Sequence, residues 1–153
     1  MIGAIARHIS IVAGLAGSLA AIVPGLLLWP RLSHSPFAGS SARYYLLEMG
    51  LAGAMVLLAF LTRTVIAAPA AWVACGLTGA FSFAAGLTIG DLYLPATVLF
   101  ALSGLLADLS TVRQDPDTTP KGERRHRLRH LLLFGSAAVV QFVAMAGVAA
   151  MGR

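Results

Sequence analysis

Long runs free of formal charge constrain this chain more than any other feature. Residues 9–30, 64–90, 92–107 and 131–152 carry no Asp, Glu, Lys or Arg over 22, 27, 16 and 22 positions. A helix that crosses the hydrocarbon core of a bilayer needs about 20 apolar residues, with a usual range of about 17–25. A fifth stretch, residues 44–62, extends for 19 positions with Glu48 as its one charge. Glu48 sits about one helical turn from the start of that stretch, so its carboxylate can reach the headgroups and the stretch still qualifies. The shortest run has Pro95 near its beginning, where a missing N–H is tolerated in a first helical turn.

These runs predict an all-α fold: a polytopic integral membrane helix bundle of five transmembrane helices, or four if the 92–108 segment does not span. The helices are expected at about 8–29, 44–62, 66–89, 92–108 and 130–151, in a single transmembrane domain covering 1–153. A loop at 30–43 lies on one side and a basic loop at 110–129 on the other. Composition agrees, because 58% of the residues are hydrophobic and 11% are charged. A water-soluble domain has about 25% charged residues, and this chain could not cover itself with polar surface in water.

The stretch KGERRHRLRH, residues 121–130, then finds its place. With the N-terminus in the cytoplasm, the inner side holds Arg7, Arg63, Arg113, Lys121, Arg124, Arg125, Arg127 and Arg129, against Arg31, Arg43 and Arg153 outside. That excess obeys the positive-inside rule, and Trp29, Tyr44, Tyr45 and Tyr93 form an aromatic belt at the outer ends. Lys121, Arg124, Arg125, Arg127 and Arg129 are therefore read as a collar contacting anionic lipid headgroups, not as a nucleic-acid patch; no nucleic-acid-binding motif accompanies them. The stretch after Pro120 is compatible with helix and can run directly into the fifth span. The N-terminal MIGAIARHISIVAGLAGSLA resembles a secretory signal, but its apolar run continues to Trp29, beyond the 7–15 residues of a signal core, so an uncleaved first helix is expected. Localisation to a cell membrane as a multi-pass protein follows, with the Ala, Gly and Leu bias suggesting a bacterial inner membrane and the C-terminus outside.

Polar side chains within the spans are the candidate functional residues. Gln141 falls near the middle of the last span and is expected to bond to Thr78, Ser82 or Ser103, or to bind a substrate or hold a quinone carbonyl. Glu48 is expected to pair with Arg43, or to act with Asp91 and Gln141 as a substrate-binding group. Small residues, including Gly14, Gly17, Gly76, Gly79, Gly86 and Gly90, permit close approach of helices.

Catalysis and cofactor binding find little support. Cys75 is the one cysteine, which excludes a C-x-x-C pair, a zinc set or an intrachain disulfide. H-E-x-x-H, G-x-S-x-G and P-loop motifs are absent, and no Ser, His and acid fall together on one predicted face. His8 and His130 reach the inner ends of their helices but sit among arginines, which disfavours axial ligation of haem. His126 and His130 share a helix face at i, i+4, yet no Cys, Asp or Glu near them in sequence completes a metal shell. No metal or cofactor is expected, and the protein is read as a non-enzyme. The favoured function is a small non-catalytic subunit or accessory protein of a larger membrane complex, with protein partners in the bilayer. A small homo-oligomeric transporter or channel using Glu48, Asp91 and Gln141 is the alternative, and a membrane carrier of haem or quinone the second.

Overall fold

The structure, a computed structural model, describes residues 2–33, 40–62, 64–85, 89–112 and 120–151. It is all-α: helices α1 (Ile2–Ser33), α2 (Ser40–Leu61), α3 (Ala67–Ala84), α4 (Leu94–Val112) and α5 (Pro120–Met151), with a short 3₁₀ turn, Gly90–Tyr93, leading into α4. Each of the five helices contains a segment long and apolar enough to cross a membrane, so the chain is a polytopic membrane helix bundle. The fourth segment, Gly90–Ser110, has 21 residues once the 3₁₀ turn and the residues after Ala107 are included.

α1 and α5 extend further than the charge-free runs. Each has 32 residues, about 48 Å at 1.5 Å per residue, which exceeds a hydrocarbon core of about 30 Å. The surplus of α5 is its beginning: the helix starts at Pro120, while its apolar span starts at Leu128. The basic stretch is therefore a helical extension of α5, not part of a loop reaching to 129. Proline suits that first position because its absent N–H has no intrahelical partner there in any case. α1 runs unbroken through Pro24 and Pro30.

Four helices form a ring in which α1 packs on α2 and α4, and α3 on α4 and, less extensively, α2; α5 lies outside, along α3. Successive helices reverse direction. Ser10 of α1 thus meets Ser103 of α4, whereas α5 runs parallel to α3, with Trp72 beside Phe134 and Phe83 beside Phe142. α1, α3 and α5 all begin at one end of the bundle, the basic end.

Close packing relies on small side chains, since lipid offers no hydrophobic drive for helices to associate. α3 is the most deeply buried span because Ala71, Ala74, Cys75, Gly76 and Ala80 let its neighbours approach. At Gly76 a methyl group would collide with the carbonyl oxygen of Phe134 on α5. Two apolar clusters fill the interior: Ala21, Val56, Phe60, Ala74 and Phe100 around the middle and basic half, and Leu46, Met49, Phe81 and Tyr93 at the opposite end.

Candidate functional site

Two of the groups of polar side chains that bridge helices inside the bundle involve α5, one towards each end. Towards the end opposite the basic stretch, Gln141 of α5 donates from Nε2 to Oε2 of Glu48 on α2 at 3.1 Å. Gln141 is completely buried. α5 continues for ten residues beyond it, to Met151, so the carboxamide lies deep within the span. The pairing uses only half of the carboxamide, since Gln141 Oε1 has no hydrogen-bond partner. Ser82 Oγ and the Tyr93 hydroxyl, both buried, also have none.

The partners anticipated for Gln141 are engaged elsewhere or unbonded. Thr78 donates to the carbonyl of Ala74 at 2.8 Å and accepts from Thr97 at 3.0 Å. Ser103 and Ser10 each donate to the other's backbone carbonyl, at 2.9 and 2.8 Å. Gln141 instead reaches past α3 to α2. Among the described residues no ion pair joins Glu48 to Arg43; its recorded bond is to Gln141. Asp91 lies in the 3₁₀ turn with its side chain exposed. The structure therefore brings together Glu48 and Gln141, and leaves Asp91 at the surface of the same end.

At the basic end Asp108 of α4 receives two donors from two helices. The indole N–H of Trp72 reaches Oδ2 at 3.1 Å, and Nδ1 of His130 lies 2.9 Å from Oδ2 and 2.8 Å from Oδ1. All three residues are buried, His130 to 3% exposure. Close packing supports the indole, because Gly104 leaves room for it: a methyl group there would come within 2.9 Å of Trp72 Nε1. An imidazole bonded through Nδ1 to a carboxylate is fixed in orientation and tautomer. Here that arrangement clamps α3, α4 and α5 together.

This triad corrects two expectations. His130 does not stand in water among arginines, because the bundle encloses it, and an acid, Asp108, does lie against it, from a different helix. Sequence reasoning missed Asp108 because it lies one residue beyond the charge-free run 92–107, as the last residue of the expected 92–108 helix, where an acid looks like ordinary flanking sequence. The available signal was shared depth. Asp108 is two residues from one end of its span and His130 two residues from one end of its own, on the same side of the bundle.

Among the described residues no group of three or more His, Cys, Asp or Glu could hold a metal. Cys75 is buried, with its thiol 3.5 Å from the Thr97 carbonyl. The side chains of Lys121, Arg124, Arg125, Arg127 and His126 lie outside the described residues; Arg129 is exposed. Gly86, half of the Gly86-x-x-x-Gly90 pattern, is likewise outside them. No protein family, curated protein or solved structure matches the chain.

Proposed function

We propose that this protein is a small, non-catalytic integral membrane protein that serves as a subunit or accessory protein of a larger membrane complex. The observation that carries the reading is the placement of α5. It packs mainly along α3, touching α2 and α4 through Gln141 and His130, and is the least buried of the five spans, with Leu131, Leu132, Val139, Val140, Phe142 and Val143 all exposed. The intramembrane polar groups support the same reading, since the Ser10–Ser103, Thr78–Thr97, Glu48–Gln141 and Trp72–Asp108–His130 contacts all join helices of this chain. Such a bundle offers neighbours a rigid apolar surface. The membrane is taken to be a bacterial plasma membrane from the Ala, Gly and Leu bias, and the basic end is placed in the cytoplasm from the cation distribution. Purification in mild detergent from the native host should recover one or more partners in fixed stoichiometry, and Val140→Arg on the open face of α5 should release them. A chain recovered alone, or partners unaffected by that change, would refute the subunit reading.

A second reading has its own support. Gln141 Oε1, Ser82 Oγ and the Tyr93 hydroxyl are buried polar atoms without partners, and buried polar atoms of this kind mark places where a solute or water can bind. On this reading a homo-oligomer moves a solute past Glu48 and Gln141. Flux in liposomes that disappears in Glu48→Gln would replace the first reading with this one.

A further inference from the structure

At the basic end a cleft of about 300 Å³ opens among α1, α2, α3 and α4. Ser10, Ser110 and Phe60 line its buried part, Ala68 forms a wall, and Arg7 and Thr64 stand exposed at its mouth. Arg7 has no ion-pair or hydrogen-bond partner among the described residues, and none of the described lining residues is acidic. A guanidinium kept without a carboxylate beside a preformed cleft is a site for an anion, and its planar fork matches the oxygens of a phosphate or carboxylate. The start of α3 adds to the positive field. The Ala67 N–H is taken by the Thr64 carbonyl, but Ile66 provides no side-chain cap and the first turn holds no acid, so no carboxylate offsets the partial positive charge of the helix N-terminus where Ala67 and Ala68 line the cleft.

The walls narrow the class of anion. Phe60, Ile11 and Ala68 are apolar, so a bare inorganic anion would leave them facing water, whereas an ester would cover them with its carbon atoms. The cleft also lies at the end of the spans, at the depth of lipid headgroups, where the abundant anions are phosphate esters. The hydroxyls of Ser110 and Thr64 rest on local carbonyls, Thr64 through a long contact of 3.3 Å, and can rotate towards an entering phosphate. We propose that this cleft binds a phosphate ester, with Arg7 gripping the phosphate and the apolar walls holding the carbons next to it. Membrane phospholipids and soluble phosphate esters share that chemistry.

The full-length chain, delipidated in mild detergent, would be examined by native mass spectrometry with phosphatidylglycerol and with diacylglycerol, which shares the tails and lacks the phosphate. One phosphatidylglycerol should be retained under conditions that strip the rest, and diacylglycerol should not. Arg7→Gln should weaken retention about tenfold, the usual scale for losing a charge-assisted contact. Ala68→Phe should weaken it comparably by filling the cleft with the charge unchanged, and Arg7→Lys should weaken it less than Arg7→Gln. Arg43→Gln, at the start of α2 at the opposite end of the bundle, should leave it unchanged. Competition by glycerol 3-phosphate would assign the site to a soluble ester, and retention that survives this competitor would assign it to lipid; either result supports the cleft. Equal retention of diacylglycerol, loss on Arg43→Gln alone, or retention unaffected by both Arg7→Gln and Ala68→Phe would overturn the proposal. The two variants act by charge and by volume, so one still decides if the other does not fold.

Discussion

His130 and Asp108, 22 positions apart in the sequence, meet with the imidazole Nδ1 2.9 Å from one carboxylate oxygen and 2.8 Å from the other. Trp72 donates to the same carboxylate at 3.1 Å, so a single acid connects three helices at the basic end. Removing its acceptor atoms should be costly in so buried a place. Asp108→Leu is expected to destabilise the bundle by about 1–3 kcal/mol, the usual cost of leaving buried donors without an acceptor. Asp108→Asn, which keeps one acceptor oxygen, should lose less. Unfolding in a denaturing detergent, followed by Trp fluorescence, measures both; equal midpoints for wild type and Asp108→Leu would show that the carboxylate does not hold these helices.

Ser10 and Ser103 should behave differently. Each hydroxyl donates to the other residue's backbone carbonyl, so replacing one by Ala leaves the reciprocal bond intact. Each substitution should cost about 0.6 kcal/mol, a typical value for a hydrogen bond between membrane helices. The double variant should be additive to within about 0.5 kcal/mol. A large coupling energy would mean that the two hydroxyls bond directly to each other.

The position of α5 can be read by cross-linking. In a Cys75→Ser background, Glu48→Cys with Gln141→Cys should be joined rapidly by a short bifunctional reagent, since the native side chains meet at 3.1 Å. Adding Gly76→Val should sharply reduce that yield, because a side chain there collides with the Phe134 backbone and pushes α5 away. Undiminished cross-linking would contradict the close α3–α5 approach.

Orientation depends on the cations. Reporters fused after Met1, Ser35, Thr118 and Arg153 should read inside, outside, inside and outside. Near an anionic leaflet each Lys or Arg contributes about 1 kcal/mol before screening, over a Debye length of about 8 Å at physiological salt. Changing Arg124, Arg125, Arg127 and Arg129 together to Gln should therefore impair insertion of α5 and place some of the Arg153 reporter inside. The unmodified protein in detergent should give no gel shift with RNA or DNA. A cytoplasmic Arg153 reporter in the wild type would overturn the side assignment, and a sequence-dependent shift would overturn the lipid reading of the basic stretch.

The class of fold was legible because a charge within hydrocarbon is so costly that the runs between charges outline the spans. Helix ends were less legible. α5 begins at Pro120 and not near 130, because a helix continues past the bilayer surface as far as backbone propensity allows, and the charges in KGERRHRLRH do not oppose helix there. The candidate residues were legible as individuals and illegible as pairs. Glu48 and Gln141 stand out by polarity, but their contact, 93 positions apart, depends on α5 docking parallel to α3, which no local pattern encodes. Asp108 and His130 were hidden for a different reason. Each sits at a span boundary, where a charged residue looks like ordinary flanking sequence until a neighbouring helix covers it.

The attachment of α5 also sets an order of events during synthesis. α1 to α4 can close their ring before α5 leaves the ribosome, but until then Glu48 lacks its carboxamide and Asp108 its imidazole. A nascent four-helix intermediate thus carries two unfinished polar contacts, one towards each leaflet, on the surface that α5 will cover. Arrival of the last helix completes both at once. A chain truncated before α5 would keep them open to lipid, where quality-control proteases and insertion factors that survey membrane helices for exposed polar groups would find it.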